Sequence, residues 1–185
     1  MNIMNMKKIT LILALGAALA ISGCSNASSN EKPDEPAVGI ANPWREVTEE
    51  EAKESTPNLF KAPEGATGVT WRLMDDGTAD HPLVELDFDY DGLSFCARAK
   101  YGAAEDEDIS GMYYDWTVTD DATLATWAGG LMQCKTYRYV GENEYADLIT
   151  WYDIEVGIAY SLSTTAEDLD GFDIQAIAEA MAPVD

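Results

Sequence analysis

Residues 85–99, ELDFDYDGLSFCARA, constrain the fold more than any other stretch of the chain. Asp91-Gly92 supplies the positive φ that a two-residue type I′ turn requires. With that turn, paired residues have numbers that sum to 183, as Asp91 and Gly92 do. One face then carries Tyr90–Leu93, Phe88–Phe95, Leu86–Ala97 and Val84–Ala99, all apolar or aromatic. The other carries Asp89–Ser94, Asp87–Cys96 and the opposite-charge pair Glu85–Arg98. A slip by one residue would mix the two faces, so the register is strongly specified. The same aspartates, followed by Gly92, also open like an EF-hand loop, whose twelfth position must be a bidentate glutamate. Arg98 stands there, and Ser94 takes the eighth position, where an apolar residue belongs, so the EF-hand is excluded. Glu85, Asp87 and Asp89 remain a secondary candidate for a cation, because carboxylates two apart on a strand share a face.

Around this hairpin most of the chain reads as strand: 67–74, 82–90, 93–100, 111–118, 122–128, 131–140, 145–153 and 157–164. Asp120-Asp121, Gly129-Gly130 and Gly141-Glu142-Asn143 read as turns between them. Connections this short predict an antiparallel meander. Thr48 with Glu51 forms a capping box ahead of a helix that must stop before Pro57. Ile174, Ile177, Ala178 and Met181 make one apolar helical face, with Asp173 near its start and Pro183 past its end. The expected fold class is α+β: a curved antiparallel meander, with a short N-terminal helix and a C-terminal helix packed on one face.

The N-terminus predicts location. Lys7 and Lys8 precede the apolar run ITLILALGAALA, which suits a secretory signal better than a membrane span. The run ends in ISGC, residues 21–24, which resembles the lipobox of bacterial lipoproteins. That resemblance implies cleavage after residue 23 and acylation of Cys24, and two or three acyl chains anchor stably. Residues 24–39, small, polar and proline-containing, read as a disordered tether, and 40–185 as a single globular domain. The expected location is the extracytoplasmic face of the cell membrane. Ser25 lacks the acidic retention signal of a Gram-negative inner membrane, so the outer membrane is the alternative there.

Without Lys7 and Lys8 the chain keeps nine basic residues against 34 acids, a formal charge of 9 − 34 = −25. Nucleic acid and anionic headgroups are excluded as partners. A cationic ligand would need acids focused at one site, whereas spread acids serve solubility. Runs such as Glu105, Asp106, Glu107 and Asp108 carry no chemistry by density alone.

Cys96 and Cys134 form an even pair in an extracytoplasmic chain, and the expectation is a disulfide; an anaerobic habitat would leave buried thiols instead. A catalytic cysteine lacks its usual partner, since His81 is the single histidine. Without a nucleophile elbow, a phosphate-binding glycine loop or HExxH, no catalytic residue and no cofactor is predicted. Trp71, Trp116, Trp127 and Trp151 fall on expected strands, where core packing is the first reading. KTYRYV and MYYDW place aromatic residues on both faces, so some must be exposed or covered by another layer.

NPWREVTEEEA (42–52), KAPEG, YDGLSFCARAKYG and EDISGMYYDW together resemble a family of bacterial lipoproteins classed as a domain of unknown function, with NPW and DISG motifs. Its late hairpin corresponds here to Thr150, Trp151, Gly157 and Tyr160. FDIQAIAEAM and the two cysteines depart from the pattern. The resemblance implies a compact extracytoplasmic α+β domain and carries over no catalytic or binding residue. The leading functional expectation is a non-enzymatic, lipid-anchored binding or interaction module for a protein, peptide or saccharide. The second is a carrier or sensor of an apolar molecule, and the third an envelope hydrolase.

Overall fold

The computed structural model describes residues 42–75 and 80–183. The expected signal peptide, Cys24 and the tether lie outside them. Along the described chain run β1 (Trp44–Val47), α1 (Glu49–Ser55), β2 (Thr67–Met74), β3 (Leu83–Tyr90), β4 (Leu93–Tyr101) and β5 (Val118–Leu124). A short 3₁₀ turn at Ala128–Gly130 precedes β6 (Met132–Val140), β7 (Tyr145–Asp153), β8 (Ile158–Ala166) and α2 (Ile174–Ala180).

The β3–β4 hairpin has the register that its turn dictates, from Tyr90 opposite Leu93 to Glu85 opposite Arg98. Asp91 and Gly92 both have positive φ, 49° and 80°. Phe88 and Phe95 stack at 5.1 Å, as a directly opposed aromatic pair should.

All eight strands form one antiparallel sheet, and the class is α+β with the sheet dominant. The order, however, is β1-β2-β3-β4-β8-β7-β6-β5, which corrects the single meander. Two four-stranded meanders are joined so that the last strand docks beside β4. Residues 102–117 must therefore cross β8, β7 and β6 to reach the far edge, about 19 Å at the usual strand spacing. For this reason 111–117 is a connection and not the expected strand, and only Val118 of that stretch enters β5. Asp120-Asp121 is likewise no turn: both lie inside β5, an edge strand where charge discourages pairing with another chain. β5 stops at Leu124, so Trp127 leads into the 3₁₀ turn.

Both helices cover one face. Thr48 accepts from the Glu51 N–H at 3.2 Å and α1 ends two residues before Pro57, as the capping box requires. Asp173 caps α2 by accepting from the Gln175 and Ala176 N–H groups. Ile174, Ala178 and Met181 then pack with Ala52 and Phe60 on Val84, Leu86, Ile149 and Leu162. Trp151 stacks on Tyr160 at 5.3 Å, with Trp127 edge-on to both at 5.0 and 5.1 Å. The Trp127 indole N–H donates to the Ala178 carbonyl at 2.9 Å, which fixes α2 on the sheet.

Cys96 and Cys134 are free thiols, and the expected disulfide is corrected. Cys96 on β4 pairs with Asp87, on the face away from the helices, whereas Cys134 on β6 packs in the helix-side core. β8 and β7 stand between them, about 14 Å across, and a disulfide needs Cβ atoms about 4 Å apart. Burial and the neighbouring Glu85 charge push the Cys96 thiol up to about 12. Burial and Glu179 push Cys134 up to about 11.

Candidate functional site

The second face is polar, and the crossing connection is tied to it by charge. Glu85, 4% exposed, accepts from Arg72 Nη1 at 2.8 Å and from Arg98 Nε at 2.8 Å. Arg72 Nη2 also donates to Asp87, while Asp89 accepts from the Ser94 hydroxyl at 2.6 Å. Burial, then the Glu85 charge, raise the Asp87 carboxyl above its ordinary range against the opposing pull of Arg72. Carboxylate and thiol atoms of Glu85, Asp87 and Cys96 come within 4.8 Å of one another. Two guanidinium groups already occupy these carboxylates. The Glu85, Asp87 and Asp89 stripe is thus an ion-pair and hydrogen-bond network, and a metal would have to displace arginines to enter it.

Arg98 extends the network to the connection. Its Nη1 donates to the carbonyls of Ile109 and Ser110 at 3.2 and 2.8 Å, and its guanidinium lies 5.6 Å from the Trp44 ring centroid. The DISG motif is shaped to receive it. Asp108 accepts from the Ser110 N–H and hydroxyl at 2.9 and 2.7 Å, and Ser110 Oγ accepts from the Met112 N–H at 3.1 Å. Gly111 follows at φ 68°, and a Cβ there would sit 2.4 Å from Arg98 Nη1. Ile109 packs with Leu83, Ala103 and Ala159 in a small second core.

Beyond this anchor the connection stands off the sheet, and a groove of about 550 Å³ opens beneath it. Leu148 and Thr150 of β7 and Ala159 of β8 line it from the sheet. Trp116, Tyr137 and Tyr152 line it with aromatic rings, and Glu105, Asp106, Glu107 and Asp108 supply carboxylates from the connection. Trp116 lies 5.6 Å from Tyr137 and 5.5 Å from Tyr114, which in turn lies 5.0 Å from Tyr139. Apart from Tyr113, which is 88% exposed, these are the aromatic residues of MYYDW and KTYRYV, facing each other across two layers. Tyr152 is held by donating its hydroxyl to the Ala103 carbonyl at 3.2 Å. Glu107 is held below the usual carboxylate range, chiefly by the ammonium hydrogen bond from Lys100.

The helix-side face offers a smaller hollow of about 280 Å³ beside Arg138 and Asp147. Asp147, 1% exposed, takes a bidentate pair from Arg138, whose Nη2 also donates to the Phe172 carbonyl at 2.8 Å. That set ties β6 and β7 to the start of α2. His81 packs against Tyr101, their ring centroids 4.4 Å apart. Among the described residues no helix is long and apolar enough to cross a membrane.

Compared with protein-family models, curated proteins and solved structures, the chain matches none of them.

Proposed function

We propose that the protein is a lipid-anchored, extracytoplasmic binding module without catalytic activity, and that its ligand occupies the groove beneath residues 102–117. The groove itself carries the reading: a cavity of about 550 Å³ joins aromatic rings to polar groups, the composition of a recognition site. Against the carrier alternative, the space between α2 and the sheet is filled by Trp127, Trp151, Tyr160 and Met181. The anchor rests on the lipobox resemblance around Cys24.

Native mass spectrometry of the protein purified from its own envelope tests the reading. A bound polar species, lost on Trp116→Ala, supports it; a co-purified apolar molecule retained by that variant overturns it in favour of the carrier.

A further inference from the structure

We infer that the groove beneath the connection selects an organic cation, a ligand bearing amines on an extended alkyl chain; this rests on the binding reading above and names its ligand class. The inference begins with the aromatic wall. Trp116, Tyr137 and Tyr152 line one cavity, and an ammonium or alkylammonium group is drawn to the face of such rings, to tryptophan most of all. Aliphatic segments of the same ligand would lie along Leu148, Met112 and the rings.

The charges of the lining choose between a cation and a neutral sugar. Five carboxylates, Glu105, Asp106, Glu107, Asp108 and Asp121, face one ammonium group, that of Lys135. Their own partners leave most of that charge unanswered. Glu107 is paired with Lys100, and Lys135 stands 3.7 Å from Asp121, itself 85% exposed. Asp108 accepts only from Ser110, a neutral donor. Glu105 and Asp106 make no hydrogen bond or ion pair among the described residues. Acids set beside aromatic rings in a partly enclosed groove focus the field more than acids spread over a surface. The buried carboxylates differ in kind, since Glu85 and Asp147 are already held by arginines. The groove therefore has both elements of cation recognition, aromatic rings and uncompensated carboxylates, and an elongated amine can meet both at once.

Isothermal titration of the protein with spermidine tests this, using Trp116→Ala, Glu105→Gln/Asp106→Asn, and the control Glu54→Gln/Glu64→Gln on the helix side of the sheet. Saturable binding of one spermidine is expected, weakened ~5-fold or more by Trp116→Ala. The Glu105→Gln/Asp106→Asn variant, whose side chains are exposed and support no fold contact, is expected to weaken it ~10-fold. Raising salt from ~0.05 to ~0.5 M should weaken it further, because exposed charges are screened over that range. The control should stay within twofold. Equal weakening by the control, or no effect of Trp116→Ala, would overturn the inference in favour of diffuse attraction to an acidic surface. A neutral oligosaccharide bound in place of spermidine, and lost with Trp116→Ala, would overturn the cation while leaving the binding module standing. Failure of both probes would remove both.

Discussion

Replacing Arg98 by Met keeps an aliphatic chain of similar length and deletes the charge that joins the connection to the sheet. Three interactions are lost: the pair with Glu85, the hydrogen bonds to the Ile109 and Ser110 carbonyls, and the contact with Trp44. Glu85 stays buried but keeps Arg72 on its other oxygen, so its cost falls at the low end of the ~3–5 kcal/mol for breaking a buried pair. Each carbonyl deprived of its donor adds about 1 kcal/mol. The expected destabilisation is about 5 kcal/mol, the same order as the whole stability of a domain this size. Urea unfolding followed by tryptophan fluorescence should show it as a lower midpoint with an unchanged slope. The double variant Arg98→Met/Glu85→Met, which removes the stranded carboxylate as well, should be no less stable than Arg98→Met alone. A loss below ~1 kcal/mol in Arg98→Met would refute the reasoning, since a buried carboxylate cannot lose its principal partner so cheaply.

Gly111→Ala and Gly92→Ala both place a Cβ at positive φ, yet only the first meets Arg98, at 2.4 Å, while the second meets nothing within 4 Å. Thermal unfolding should therefore show a loss of about 1 kcal/mol for Gly92→Ala and at least ~2 kcal/mol for Gly111→Ala. Glu179 is buried enough to raise its carboxyl, but hydrogen bonds from the Thr126 hydroxyl and the Ala125 and Thr126 N–H groups hold it below the ordinary range. A depressed carboxyl contributes stability above its unfolded pKa of about 4.3 and loses it as pH falls through the folded value. The stability gap between the protein and Glu179→Gln, read from urea midpoints, should thus be full at pH 7 and close progressively in acid. A reductant should leave the melting temperature unchanged, because Cys96 and Cys134 are unpaired. Both thiols should also react slowly with a disulfide reagent at pH 8, being pushed up to about 12 and about 11.

The β3–β4 register was legible because alternation of face and turn chemistry agree residue by residue, and the capping residues of both helices were legible because their partners are local. The order of strands was not. Nothing in alternation tells β8 to pair with β4 rather than only with β7, since antiparallel partners distant in sequence leave no local trace. MYYDW has strand composition, and only the crossing geometry turns it into a lid of aromatic rings over Tyr137 and Tyr139. The cysteine pair failed for the same reason, because parity within each strand was readable but not which faces coincide across strands. The groove went unread because its acids, Glu105–Asp108, look like any solvated run until the connection brings them to the same cavity as Trp116. An acidic run of connection length followed by two aromatic stretches was the available signal.

The most direct test of the account is a spermidine titration of isotope-labelled protein followed by NMR. The account predicts that the largest shifts fall on the Trp116 indole N–H and on the backbone amides of 105–109 and 148–152, around the groove. Shifts centred on Arg138 and Asp173 at the helix-side hollow, or spread evenly over the acidic surface, would contradict it.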